Sequence, residues 1–140
     1  MSHDRLHPPQ IPDANYRDPL TRMRAYALAR ELEKDAWSDA EKLEHHPVTT
    51  KIGGQLYAAV GSIAANLAEG YSRSSGRDRA RIFEYALGSA RESIVWYESA
   101  SRVLGDAVVR NRVDILSEIR RLLLAAIPRE RGKLIRPSGD

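Results

Sequence analysis

A chain of 140 residues with 42% hydrophobic content is long enough for one domain with a genuine core and too short for two comfortable ones. Its 22 Lys and Arg against 19 Asp and Glu leave a formal net charge of +3 and a pI near 9.4, a balance that permits a polyanionic partner without demanding one. The absence of cysteine excludes disulfides and thiol catalysis. No apolar run reaches the roughly 18 residues of a membrane span, and the N-terminus MSHDRLHPPQIP is polar and proline-broken, unlike a signal peptide, so the expected location is the cytoplasm.

Residues 1–18 hold Pro8, Pro9 and Pro12 and few large apolar side chains, which predicts a loose arm. From Pro19 the character changes. Ala25, Ala29, Leu32, Ala36, Ala40 and Leu43 recur at three- and four-residue steps, one face of a first helix, with Glu31, Glu33, Lys34 and Lys42 largely on the other. Asp35 and Asp39, among these lysines, read as part of the same wet face. His45 and His46 suit the negative pole of the helix, which Pro47 ends; no third ligand at metal spacing accompanies them.

Ile52, Leu56, Ala59, Ile63 and Leu67 mark a second helix leading to Gly70, whose access to the left-handed region would close it. Ser75 followed by Asp78 resembles a capping box for a third helix, through Phe83, Leu87, Ala90, Ile94, Tyr97 and Leu104. Gly105 then Asp106 reads as a stop followed by an N-cap. A fourth helix carries Val109, Val113, Leu116, Ile119, Leu123 and Ile127 until Pro128 stops it, and the remainder, RERGKLIRPSGD, is a basic tail. Four helices of about 20 to 28 residues with short connections predict an all-α, up-down-up-down antiparallel four-helix bundle over residues 19–128, followed by a tail at 129–140. Small residues in the second and third helices favour close, straight packing.

Ser62, Asn66 and Glu69 lie at i, i+4 and i+7, one stripe of the second helix beside its apolar face. If Glu69 is buried it requires a partner, Arg91 or Arg81 or a group of another subunit. The stripe reads as a polar seam setting helix register or an oligomer interface. No second acid, histidine or serine is placed to make it catalytic. Trp37, Trp96, Tyr85 and Tyr97, at helical spacings, read as packing or subunit-contact residues. GSARESIVW contains neither a nucleophile elbow nor a phosphate-loop pattern. No catalytic residue, metal site or cofactor is expected.

SIAANLAEGYSR followed by IFEYALGSARES resembles the signature of the four helix bundle protein family, also called the 23S rRNA intervening-sequence protein family. Ser62, Asn66, Glu69, Gly70, Ala86, Gly88, Ser89 and Glu92 match its pattern position by position, and the likeness spans roughly residues 20–127. Ala64 stands where that family often has proline, which predicts a straighter second helix. Arg79 stands where an apolar or aromatic residue is common. The resemblance implies an antiparallel bundle assembling into a homopentamer with a central channel, and extends the seam to Gly70, Gly88, Ser89 and Glu92. Similar proteins are encoded within insertions of 23S rRNA genes. A related branch comprises accessory proteins of diversity-generating retroelements, which partner a reverse transcriptase and nucleic acid.

Arg73, Arg77, Arg79 and Arg81 surround the loop and first turn of the third helix, where the dipole disfavours cations by roughly 0.3–1 kcal/mol each. Free amides at that terminus together with guanidiniums suit phosphate; the alternative is a solvated loop compensated by Asp78. In the tail, Arg129, Arg131, Lys133 and Arg136 face Glu130 alone until Asp140. Residues 106–140 hold eight basic and five acidic side chains, residues 1–47 seven and nine, so positive charge leans toward the C-terminal end. That tail either contacts RNA or DNA backbone or merely solubilises the chain. Five copies in a ring would carry about +15 and add weak phosphate contacts through effective concentration. The expected function is therefore non-enzymatic nucleic-acid binding by an oligomeric bundle through the arginine loop and tail, with a protein-interaction scaffold or accessory subunit of a reverse transcriptase as the alternative.

Overall fold

The computed structural model describes residues 18–133, which contain helices and no strand. A 3-10 turn, Pro19–Arg22, is capped by the Asp18 carboxylate, which accepts from the Leu20 amide at 3.0 Å. Then follow α1 (Arg24–Glu44), α2 (Thr50–Tyr71), α3 (Gly76–Ser99), the single turn α4 (Ser101–Leu104) and α5 (Asp106–Arg131). The loose arm expected at 1–18 falls, apart from Asp18, outside the described residues, as does Arg136.

The four long helices share one core. Leu32 and Leu43 of α1, Leu56, Val60, Ile63 and Leu67 of α2, Phe83 and Tyr97 of α3, and Leu116, Ile119 and Leu123 of α5 are all buried. Each such aliphatic side chain contributes about 1.5–3 kcal/mol relative to exposure. Alanines 25, 29, 36, 86 and 90, also buried, carry no bulk beyond Cβ and let the helix axes draw together. α1 packs along α2, α2 along α3 and α3 along α5, whereas α5 meets α1 over a thinner interface.

The helix ends depart from the sequence expectation at four points. α1 ends at Glu44, three residues before Pro47, and the turn that follows is tied by Thr49 Oγ1 donating to the Leu43 carbonyl at 2.7 Å. Gly70 does not close α2 through a left-handed conformation: the helix runs on to Tyr71, and Gly105, with φ 88°, is the one residue of positive φ among those described. Gly70 answers a different demand, because a Cβ there would lie 2.7 Å from the Phe83 ring. The third helix breaks at Ala100 and re-forms as α4, and Asp106 is the first residue of α5, with Gly105 at the flanking position. Its carboxylate still complements the positive pole.

Pro128 lies inside α5, which continues to Arg131. Proline lacks the amide that would bond the Leu124 carbonyl, a loss that ordinarily ends a helix. Here the last turn packs on the start of α3, where the Glu130 carbonyl sits 2.0 Å from the place a Cβ on Gly76 would occupy. Tertiary contact outweighs the one missing bond.

Candidate nucleic-acid interface

The polar stripe of α2 divides in two. Ser62 and Ser89 hydroxyls meet at 2.9 Å across the α2–α3 contact, and Asn66 Nδ2 donates to the Ser62 carbonyl at 2.9 Å and hydroxyl at 3.0 Å. Ser89 donates to the Tyr85 carbonyl at 3.1 Å, and the buried Ser93 donates to the Ser89 carbonyl at 2.7 Å. These four side chains form a half-buried, hydrogen-bonded track between two helices. Glu69 does not belong to it. Its side chain is 54% exposed and pairs with Arg73, one turn on, at 2.9 Å rather than with Arg91 or Arg81. Gly88 and Glu92 are also exposed, Glu92 accepting from Trp96 Nε1 at 3.2 Å.

The buried charge of this protein is elsewhere. Asp39 is 1% exposed, not on a wet face: its Oδ2 accepts from the Tyr97 hydroxyl at 2.7 Å and from Arg112 Nε at 2.8 Å, while Arg112 Nη2 reaches Oδ1 at 3.3 Å. Asp35 stays half-exposed, 3.7 Å from Arg112 Nη1. Burial, then the hydrogen bond and charge of Asp39, push the Tyr97 hydroxyl far above its ordinary value. The same carboxylate raises Arg112. The group spans α1, α3 and α5, and sequence spacing alone does not bring these three residues together. A usable signal does exist: Leu32, Ala36, Asp39 and Leu43 follow 4-3-4 steps, which puts Asp39 in the apolar stripe. Of the aromatics, Tyr97 is in the core, Trp96 is half-buried, and Tyr85 and Trp37 are exposed, the latter edge-on to Tyr57 at 5.3 Å between centroids.

At the α2–α3 connection, Ser75 caps α3 by accepting from the Asp78 amide at 3.1 Å. The Asp78 carboxylate lies 3.8 Å from Arg81. Arg79 turns inward. Its Nε donates to the Arg73 carbonyl at 2.8 Å and its guanidinium lies 5.1 Å from the Tyr71 ring centroid, a planar cation covering an aromatic face. Its Nη1 is 3.9 Å from Glu130 Oε2, an oxygen that is buried without a hydrogen-bond partner among the described residues.

From the tail, Arg131 reaches back to pair with Glu84 of α3, Lys133 pairs with Glu130 at 2.7 Å, and Arg129 Nε donates to the Ala125 carbonyl at 3.3 Å. The close seat of α5 on Gly76 thereby joins the loop and tail arginines. Arg77, Arg81 and Arg131 line one open cleft of about 580 Å³ with Ser75, Asp78 and Glu84. Arg77 is exposed and has no ion-pair partner among the described residues. Arg73, occupied by Glu69, and Arg129 lie outside this cleft. What gathers here at a helix start is three guanidiniums against two carboxylates, with Arg81 paired to Asp78 and Arg131 to Glu84; a guanidinium fork can meet phosphate oxygens in bidentate fashion. At the opposite end, His45 Nδ1 meets the Glu41 carbonyl at 2.6 Å and His46 Nδ1 accepts from the Val48 amide at 3.1 Å. The described residues contain no cluster of three metal-binding side chains and no helix long and apolar enough to cross a membrane.

Comparison with known proteins adds a family and a fold. The sequence model described as 23S rRNA-intervening sequence protein matches residues 21–125. The fold is similar to the crystal structure of a protein of unknown function from the S23 ribosomal protein family of Bacteroides thetaiotaomicron, with a TM-score of 0.68 and 21% identity, covering 74% of this chain and 97% of that one. No curated protein matches the sequence.

Proposed function

Since the chain belongs to the 23S rRNA-intervening sequence protein family, we propose that it is a non-enzymatic, cytoplasmic protein whose up-down-up-down antiparallel bundle assembles into a homopentameric ring and binds RNA or DNA backbone through its arginine-rich end. The observation that carries this reading is the convergence of Arg77 and Arg81 from α3 with Arg131 from α5 in one open cleft. Sequence-independent binding needs guanidiniums at phosphate-accessible positions and no base-reading element.

Assembly is supported by glycines that the single chain does not use. Gly54, Gly61 and Gly88 lie inside helices, and a Cβ at each would meet nothing within 4 Å. Each destabilises its helix by roughly 0.5–1 kcal/mol relative to alanine. Close approach of another subunit is the compensation that this outer surface invites, and light scattering on the eluting protein measures it. A ring places several clefts on one particle, so individually weak contacts add.

The test of binding is retention on RNA and on DNA as salt rises. The wild-type protein binds at low salt, with log affinity falling by about 0.9 per phosphate contact for each log unit of salt on duplex DNA. Arg77→Gln/Arg81→Gln/Arg131→Gln lowers affinity at least about tenfold, about 1.4 kcal/mol, with helicity unchanged. Equal retention of that variant overturns the reading. A second reading, a scaffold or accessory subunit for a reverse transcriptase, draws on the exposed Trp37, Tyr85 and Val95. Capture of such a polymerase that persists in high salt would favour it, because apolar contacts are not screened.

A further inference from the structure

The cleft that offers three guanidiniums also holds two carboxylates, Asp78 and Glu84, and they are not equivalent. Asp78 pairs loosely, at 3.8 Å, with Arg81 one turn along its own helix. Glu84 crosses from α3 to α5 and accepts a hydrogen bond from Arg131 Nη2, a pair 47 residues apart in the chain. Both partners are about half-exposed, 56% for Arg131 and 49% for Glu84, so neither is held in place by burial. An exposed pair of this kind contributes little to stability and exchanges readily. Resting on the nucleic-acid reading above, we propose that Glu84 is a built-in competitor for ligand phosphate: in the free protein its carboxylate occupies the Arg131 guanidinium, and a phosphodiester entering the cleft displaces it.

The chemistry of displacement follows from the geometry. A carboxylate and a phosphodiester present the same pair of acceptor oxygens to a guanidinium fork, and one fork cannot serve both at full strength. Glu84 is tethered beside Arg131 and competes at the high effective concentration of an intramolecular group. Arg77, with no ion-pair partner among the described residues, gives the first phosphate a contact that costs no displacement. Arg131 then engages only when a second phosphate lies close by, which favours a continuous strand over a lone phosphate group. Glu84 thus sets the affinity of the cleft without touching the ligand.

The experiment is fluorescence anisotropy with a labelled single-stranded RNA of about 20 nucleotides, titrated at several salt concentrations. Glu84→Gln keeps the side-chain size and removes the charge. It is expected to bind about 2- to 5-fold tighter than wild type, close to the range an exposed ion pair spans, with the salt slope little changed, because Arg131 meets phosphate in both complexes. Glu98→Gln, an exposed site near the other end of α3, makes the same change in net charge and serves as the control. In an Arg131→Gln background the gain from Glu84→Gln disappears, the non-additivity of a directly coupled pair. Binding by wild type with no gain in Glu84→Gln, a gain matched by Glu98→Gln, or a gain surviving in the Arg131→Gln background each overturns the inference while leaving nucleic-acid binding intact. Failure of wild type and Glu84→Gln alike to bind at low salt removes the binding reading itself, and this inference with it.

Discussion

Two arginine–carboxylate pairs in this protein use identical chemistry for opposite ends. Arg112 and Asp39 meet where the carboxylate is fully withdrawn from water and also accepts the Tyr97 hydroxyl. Arg131 and Glu84 meet on the surface, with about half of each side chain in solvent. Removing Arg112 leaves the Asp39 carboxylate uncompensated in a low-dielectric interior, whereas water takes over for either partner of the second pair. Burial, not the identity of the ions, makes one a fastener of α1, α3 and α5 and the other an exchangeable contact at a candidate ligand cleft.

The contrast is broken most forcefully at Arg112. Arg112→Ala, which strands the buried Asp39 carboxylate, is expected to destabilise the protein by about 3–5 kcal/mol in urea denaturation, while Glu84→Gln stays within about 0.5 kcal/mol of wild type. Similar losses for both would erase the distinction. Next in size is Gly76→Ala, whose new methyl would meet the Glu130 carbonyl. The expected cost is about 1–3 kcal/mol, with faster amide exchange confined to the end of α5 and to α3's first turns. Protection unchanged in both segments would show that the seat of α5 on Gly76 does not hold the cleft together.

A smaller effect sharpens the comparison by pH. The Tyr97 hydroxyl is raised from an ordinary value of 10.0, so the folded state retains a proton that the unfolded chain releases. Its contribution is fully present below about pH 10 and is lost as pH rises beyond it, at up to about 1.4 kcal/mol per pH unit. Tyr97→Phe is expected to lose about 1 kcal/mol at neutral pH and to shed that alkaline decline. A mutant curve as steep as that of wild type above pH 10 would contradict the assignment.

Much of the fold was legible because long helices announce themselves by apolar spacing, and the runs through Leu32, Leu56, Phe83 and Leu116 each correspond to a helix. What the sequence withheld were outcomes decided by contacts between distant segments. Pro128 reads as a stop until the end of α5 is seen to rest on Gly76. Gly70 reads as a turn residue until the Phe83 ring fills the space beside it. Asp39 reads as surface because of its charge, although its register with Leu32, Ala36 and Leu43 places it inside. At the site, Ser75 capping α3 was legible from the short Ser–Asp spacing. The sorting of the arginines was not, because Arg79 lying over Tyr71, Arg73 held by Glu69 and Arg131 joining Arg77 depend on which helix ends are neighbours.

The most direct test of the account is to map where RNA touches the protein, by ultraviolet crosslinking at low salt followed by peptide identification. The account predicts crosslinked peptides from residues 73–84 and 129–133, lost in Arg77→Gln/Arg81→Gln/Arg131→Gln. Crosslinks confined to the α1–α2 surface around Trp37 and Tyr57, or a pattern unchanged in the triple variant, would contradict it.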